Sequence, residues 1–260
     1  RIDAVLLLSG ADGSTLWTHA AGDVAYDARP AHDLDGDGVP DVAVSGGDDA
    51  PFARLLSGAD GSVLWNVVLD GPGSAVLAMD DVTGDGVPDV AVGQFAEPQS
   101  CLLALSGVDG ARAWDAPGVA RNVTDLQLTV DTLDTGLSDV LVGSFDNAVS
   151  LVLALNGLSI WRREVSTVNG AALLDVDTVG DLDGNGSIDV IAASQEHRVY
   201  VMGGLDGQLM AKWDLASRGA AVTSLGDGDG DGRNEIVAVG RRELVILAGA
   251  SGLANGPFLE

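Results

Sequence analysis

Residues 81–92 run Asp81-Val-Thr83-Gly-Asp85-Gly-Val-Pro-Asp89-Val-Ala-Val92, an oxygen-rich loop that feeds straight into an apolar run. Oxygen side chains stand at loop positions 1, 3, 5 and 9, with Gly at 4 and 6. Alternate residues of a tight loop converge on one point, and Gly supplies the left-handed backbone such a turn needs. The pattern returns at Asp33–Asp41, Asp131–Asp139, Asp181–Asp189 and Asp227–Glu235, with first residues 48, 50, 50 and 46 apart along the chain. A second motif alternates with it: Leu8-Ser-Gly-Ala-Asp12-Gly13-Ser-Thr-Leu-Trp17, then Leu56 to Trp65, Leu105 to Trp114, Leu155 to Trp161, Met202 to Trp213 and a worn copy at Leu247–Gly252. Repeats of this length mean one supersecondary unit per repeat, stacked on its neighbours.

Each unit reads as four short strands. In the unit around residue 90 these are Ala75–Met79, Asp89–Val92, Cys101–Leu105 and Ala111–Trp114, the last two joined by an Asp-Gly turn at Asp109-Gly110. The second strand is apolar at consecutive positions in every copy: Val42-Ala-Val44, Val90-Ala-Val92, Val140-Leu-Val142, Val190-Ile-Ala192 and Ile236-Val-Ala238. Such runs predict strands buried on both faces, too short and too punctuated by Gly and Asp for buried helices. Tandem four-stranded sheets, each covering the next, predict an all-β fold, a β-propeller of about five to six blades. A parallel β-helix has far shorter repeats. The expected layout is a single domain over 1–260, cut from a larger surface protein. It has a partial unit at 1–18 and units at about 22–66, 73–115, 119–162, 168–214 and 220–260.

All-oxygen ligand sets rich in carboxylate suit a hard cation of calcium size. The expected ligands, with position 7 acting through its backbone carbonyl, are Asp33, Asp35, Asp37, Val39 and Asp41, then Asp81, Thr83, Asp85, Val87 and Asp89. The other two sets are Asp181, Asp183, Asn185, Ser187 and Asp189, then Asp227, Asp229, Asp231, Arg233 and Glu235. The loop from Asp131 has Leu133 at position 3 and Asp134 where Gly is usual, so it is expected to be empty, leaving about four calcium ions per chain. The twelfth positions carry no Glu and a strand follows, so these are not EF-hands.

The D-x-D-G-D-G-x-x-D loop followed by D-V-A-V-G resembles the FG-GAP/VCBS repeat, and L-S-G-A-D-G-S-x-L-W is similar to the Trp motif of pyrroloquinoline-quinone-like propellers. The resemblance covers nearly the whole chain and implies a calcium-stabilised, secreted or surface-exposed propeller used for binding or adhesion, from a prokaryotic source. The quinone does not carry over, because such enzymes use adjacent cysteines and here Cys101 stands alone. Trp17, Trp65, Trp114, Trp161 and Trp213 recur at one repeat position and are expected to pack between blades.

In a four-stranded meander the calcium loops and Asp-Gly turns share one end. The remaining connections share the other end and vary between copies. They hold Asp48, Asp49, Phe52, Gln94, Phe95, Glu97, Phe145, Asp146, His197 and Arg198, with Arg121, Arg162, Arg163, Arg218, Arg241 and Arg242. Phe52, Phe95, Phe145, Arg162, Arg163 and His197 are the candidate contacts for a protein or glycan partner. No G-x-S-x-G, H-E-x-x-H or phosphate loop occurs, so no catalytic residues are assigned. The alternatives are a subunit of a surface layer or filament, which allows self-assembly, and a propeller-type polysaccharide lyase or glycosidase.

The composition agrees. Asp plus Glu number 39 against 13 Lys plus Arg, a net charge of −26, which argues against nucleic acid. The acids are mostly Asp, whose short side chain suits a tight loop. Loop positions 1, 3, 5 and 9 hold 16 of the 39, so four calcium ions would take −26 to −18. No 18-residue apolar run exists to cross a membrane as a helix.

Overall fold

A computed structural model describes residues 3–96, 101–166 and 172–249, and every regular element among them is a β-strand. The first sheet pairs β1 (Ala4–Leu8) with β2 (Thr15–Ala20). The second holds β3 (Ala25–Pro30), β4 (Val42–Gly46), β5 (Phe52–Leu56) and β6 (Val63–Val68). The third holds β7 (Gly73–Met79), β8 (Asp89–Gln94), β9 (Leu102–Leu105) and β10 (Arg112–Asp115). The fourth holds β11 (Val123–Leu128), β12 (Val140–Ser144), β13 (Ala148–Val152) and β14 (Ser159–Glu164). The fifth holds β15 (Leu173–Gly180), β16 (Asp189–Ser194), β17 (Arg198–Met202) and β18 (Leu209–Asp214). The sixth holds β19 (Gly219–Leu225), β20 (Glu235–Gly240) and β21 (Glu243–Leu247). Each is an antiparallel meander in chain order, the blade of a propeller.

Two compact units emerge: residues 1–118 with 154–157, and residues 119–153 with 158–260. In the first unit Ala53, Leu55 and Trp65 of the second sheet pack on Val76, Val90, Val92, Leu103 and Leu105 of the third. Val5 and Trp17 of the first sheet pack on Val44, Phe52 and Leu56 of the second. In the second unit Leu141, Val149 and Leu151 meet Leu173, Val176, Val190, Tyr200 and Met202. Val199 and Val201 meet Val222, Ile236 and Ala238. The second strands are therefore buried on both faces, as their unbroken apolar runs require; β8, β12 and β16 are buried at every position.

The Trp motif locks neighbouring sheets. Trp17, Trp65 and Trp161 Nε1 donate to the carbonyls of Gly58, Gly107 and Gly204 at 2.8, 2.9 and 2.8 Å, and Trp114 donates to Ala154 at 2.9 Å. The ring lies on the turn glycine three residues on. At Gly207 (φ +67) a Cβ would stand 2.5 Å from the Trp161 ring, so Gly answers both the left-handed backbone and the contact. Residues 168–171, Glu97 and the end of the last unit at 250–260, including Ala250–Gly252 of the worn Trp-motif copy, lie outside the described residues.

Candidate metal-binding loops and the opposite connections

All five Asp loops link the first and second strands of a sheet. The position-1 carboxylate caps its own loop. Asp33 Oδ1 and Oδ2 accept from Gly36 and Gly38 N–H at 2.8 and 2.8 Å, and Asp81, Asp181 and Asp227 repeat the pattern. These N–H bonds hold the Asp81 and Asp181 carboxyls below the usual range, led by Gly86 and Gly186 respectively.

Position 9 does something the spacing does not announce. Asp41, Asp89, Asp189 and Glu235 are buried. Asp41 accepts from Leu34 N–H at 2.8 Å within the loop and from Gly58 N–H at 3.0 Å in the hairpin between the third and fourth strands. Asp89 does the same with Val82 and Gly107 at 2.8 and 3.0 Å, and Asp189 with Leu182 and Gly204 at 2.8 and 3.2 Å. Burial pushes Asp189 upward in pKa against those N–H bonds. The ninth residue is thus a strut between loop and hairpin as well as a candidate ligand.

Three loops gather acidic oxygens within 4.8 Å of one another: Asp33, Asp35 and Asp37; Asp181, Asp183 and Asp189; and Asp227, Asp229, Asp231 and Glu235. In the last, Glu235 Oε1 is buried without a hydrogen-bond partner while Oε2 accepts from Gly228 N–H at 2.5 Å. At Asp35 the Asp37 N–H pulls the pKa down, but desolvation and the charges of Asp41, Asp37 and Asp33 outweigh it and raise it. The Asp81 loop is not gathered in this way: Asp85 leans toward Ser106 Oγ (3.5 Å), and Thr83 Oγ1 bridges Asp81 and Asp89 at 3.3 and 3.5 Å. The Asp131 loop keeps the fold of a turn without the ligand set. Asp131 accepts from Thr135 and Gly136 at 2.9 and 2.6 Å, Asp134 takes a left-handed φ of 55°, and Leu133 faces solvent. The expected position-7 residues Val39, Val87, Ser187 and Arg233 occupy the turn before the second strand in their loops.

The opposite connections need correction. Phe52 opens β5 and is 2% exposed in the core, with the Arg54 guanidinium 4.1 Å above its ring, so it cannot reach a partner. Gln94 is buried too, accepting from Asp70 N–H at 3.1 Å. Arg162 and Arg163 lie in β14 and Arg198 in β17, not in connections. Their charges are largely answered: Arg162 by Asp146 (2.5 Å) and Glu164 (3.1 Å), Arg198 by Asp214 (2.9 Å) and Glu196 (3.3 Å). Phe95 and Phe145 remain exposed at 40% and 44%, and His197 is exposed with φ 66°.

No protein-family profile matches the chain, and no curated protein does. Solved structures do. The β-propeller domain of Myceliophteria thermophila Cps50 (Swd1) aligns with TM-score 0.65 at 14% identity, over 94% of this chain and 76% of that one. The computationally designed Ika8 protein aligns with TM-score 0.64 at 15% identity, over 91% and 62%. BBS1N, solved in complex with ARL6DN, aligns with TM-score 0.58 at 13% identity, over 89% and 68%. The fold is that of a β-propeller with four-stranded blades, and this chain spans less than two thirds of Ika8.

Proposed function

We propose that this chain is a non-catalytic, calcium-stabilised propeller that acts outside the cell as a binding or adhesion module, with FG-GAP/VCBS-type loops as its metal sites. The observation that carries the calcium reading is the Asp227 loop: four acids converge there, and one buried carboxylate oxygen, Glu235 Oε1, has no donor. An unanswered buried charge is costly, and a divalent cation among oxygen ligands answers it. When bound, the ion supplies charge neutralisation and crosslinks the loop. The chain's own residues hold the loop open for it, through the position-1 cap and the position-9 strut.

BBS1N was solved with a protein partner, ARL6DN, which makes a protein ligand the natural first candidate here. The exposed Phe95 and Phe145 offer apolar contacts, with His197 in an equivalent connection of the fifth sheet. Isothermal titration of the chain with calcium, followed by metal analysis after dialysis, tests the reading. Bound ions that disappear on Asp229→Ala and Asp35→Ala support it, and no heat and no retained metal refute it.

A further inference from the structure

Within the second compact unit, a groove of about 350 Å³ lies between β14 of the fourth sheet and the β17–β18 hairpin of the fifth. That is the lower end of the range of small-ligand sites, about 300–1,000 Å³. Its walls are Arg163 and Val165 on one side and Met202, Gly207, Gln208 and Leu209 on the other. The Asp loops, Phe95, Phe145 and His197 do not line it.

The repeat shows what is unusual at this place. In the second sheet Trp65 and Val67 pair with Leu55 and Ala53, and both lie over the turn glycine of the next sheet. A Cβ on Gly110 would stand 2.8 Å from Val67 Cγ2 and 3.1 Å from the Trp65 ring. Trp161 and Arg163 repeat this in the fourth sheet, paired with Leu151 and Val149. A Cβ on Gly207 would stand 2.5 Å from the Trp161 ring and 2.8 Å from Arg163 Cγ. Val67 packs on the core, and the Arg163 stem takes its place while carrying a guanidinium to the groove.

That guanidinium is uncommitted. Arg162 points to the opposite face of β14 and is held by Asp146 and Glu164, but among the described residues Arg163 has no ion-pair partner. Glu164 borders the groove with its carboxylate taken up by Arg162 at 3.1 Å. Asp206 in the facing hairpin accepts from Gln208 N–H at 2.9 Å and does not line the groove. At physiological ionic strength charges more than about 8 Å apart are largely screened, so the net −26 matters less than these neighbours. The floor is apolar: Met202 is buried, and Val165 and Leu209 are half-buried on the core between the sheets. The Gln208 side chain is exposed at the rim.

We propose that this groove binds a carboxylate carried beside an apolar group, on the scale of one amino-acid residue. The carboxylate lies on the Arg163 fork, with the Gln208 amide donating to it, and the apolar group lies on Val165, Met202 and Leu209. A polypeptide that ends in an apolar residue and a free N-acylated amino acid both present this chemistry.

Titration of the isotopically labelled chain with N-acetyl-leucine, followed by amide NMR shifts, tests it. The Gly207, Gln208 and Leu209 amides should shift and saturate. N-acetyl-leucinamide, which lacks the charge, and acetate, which lacks the apolar group, should each bind at least about tenfold more weakly. Arg163→Val should lose affinity by about the same factor and keep its melting temperature, because Val67 fills the equivalent place. Arg163→Gln keeps most of the stem and gives the same comparison if the Val variant melts early. A short peptide ending in leucine that binds more tightly than N-acetyl-leucine assigns the groove to a chain end, and equal binding assigns it to the free acid; either result upholds the carboxylate site. No saturable shift, equal binding of the amide, or full affinity in the folded Arg163 variants would overturn it. No metal enters these readouts, so failure here leaves the calcium reading standing.

Discussion

The Asp125 and Asp175 carboxyls share a hydrogen bond, and each also holds a backbone N–H of the sheet that follows it: Val176 at 3.0 Å and Val222 at 2.7 Å. Both sit at the irregularity that opens their first strand, and Asp27 makes the equivalent bond to Val76 at 3.0 Å. Burial first, then the Asp125 hydrogen bond and charge, push Asp175 up to about 7. The folded chain therefore keeps a proton that the unfolded chain releases near pH 3.8. The folded state binds more protons in that window, so this pair's contribution is greatest below about pH 4 and declines as pH rises to about 7. Urea midpoints measured from pH 4 to 7 should show the decline, and Asp175→Asn should flatten it.

The position-9 strut separates structure from metal. Asp139 is fully buried and accepts from Thr132 N–H at 2.9 Å in the loop that lacks a ligand set. Asp139→Ala should cost about 1.5–3 kcal/mol, because the part-buried Thr132 N–H loses a charged acceptor. The loss should be equal in calcium and in chelator. A loss that vanishes in chelator would assign the residue to an ion instead.

On the proposed calcium reading, chelation should lower the melting temperature, since an ion held by the folded loops and not by the unfolded chain stabilises the fold. Each site contributes about 2.7 kcal/mol at a hundredfold excess over its Kd. Asp229→Ala should remove one ion and part of that shift. Thr83→Ala should change the metal count less, because the Asp81 loop does not gather its acids as tightly.

Gly207→Ala should destabilise by about 1–3 kcal/mol through overpacking on the Trp161 ring. Trp161→Phe should cost about 1 kcal/mol from the lost indole bond, beyond the change in packing. Thermal melts of the two variants check both values.

The repeat made the sheets legible, because a motif recurring five times reports one environment five times. The unbroken run Val90-Ala-Val92 could only belong to a strand covered on both faces. Convergent Asp side chains were legible for the same reason. What escaped was long-range pairing. Nothing near Asp189 in sequence says that its second oxygen holds Gly204. The sheet-to-sheet ties of Asp27, Asp125 and Asp175 escaped because Ala75 and Ala221 stand at the equivalent place in other copies. Phe52 was misplaced because strand β5 begins one residue earlier than a loop assignment allows.

The hairpin glycine beside Asp41, Asp89 and Asp189 has a second bond. Gly58 gives its N–H to Asp41 and takes the Trp17 indole on its carbonyl; Gly107 does so between Asp89 and Trp65, and Gly204 between Asp189 and Trp161. One glycine, through the two peptide groups that flank it, thus links a carboxylate in three of the loops to a fluorophore in the adjoining blade. A cation bound in these loops would sit two hydrogen bonds from an indole of the adjoining blade. A cation titration followed by tryptophan emission should respond, and Trp161→Phe should silence the signal from the Asp181 loop alone.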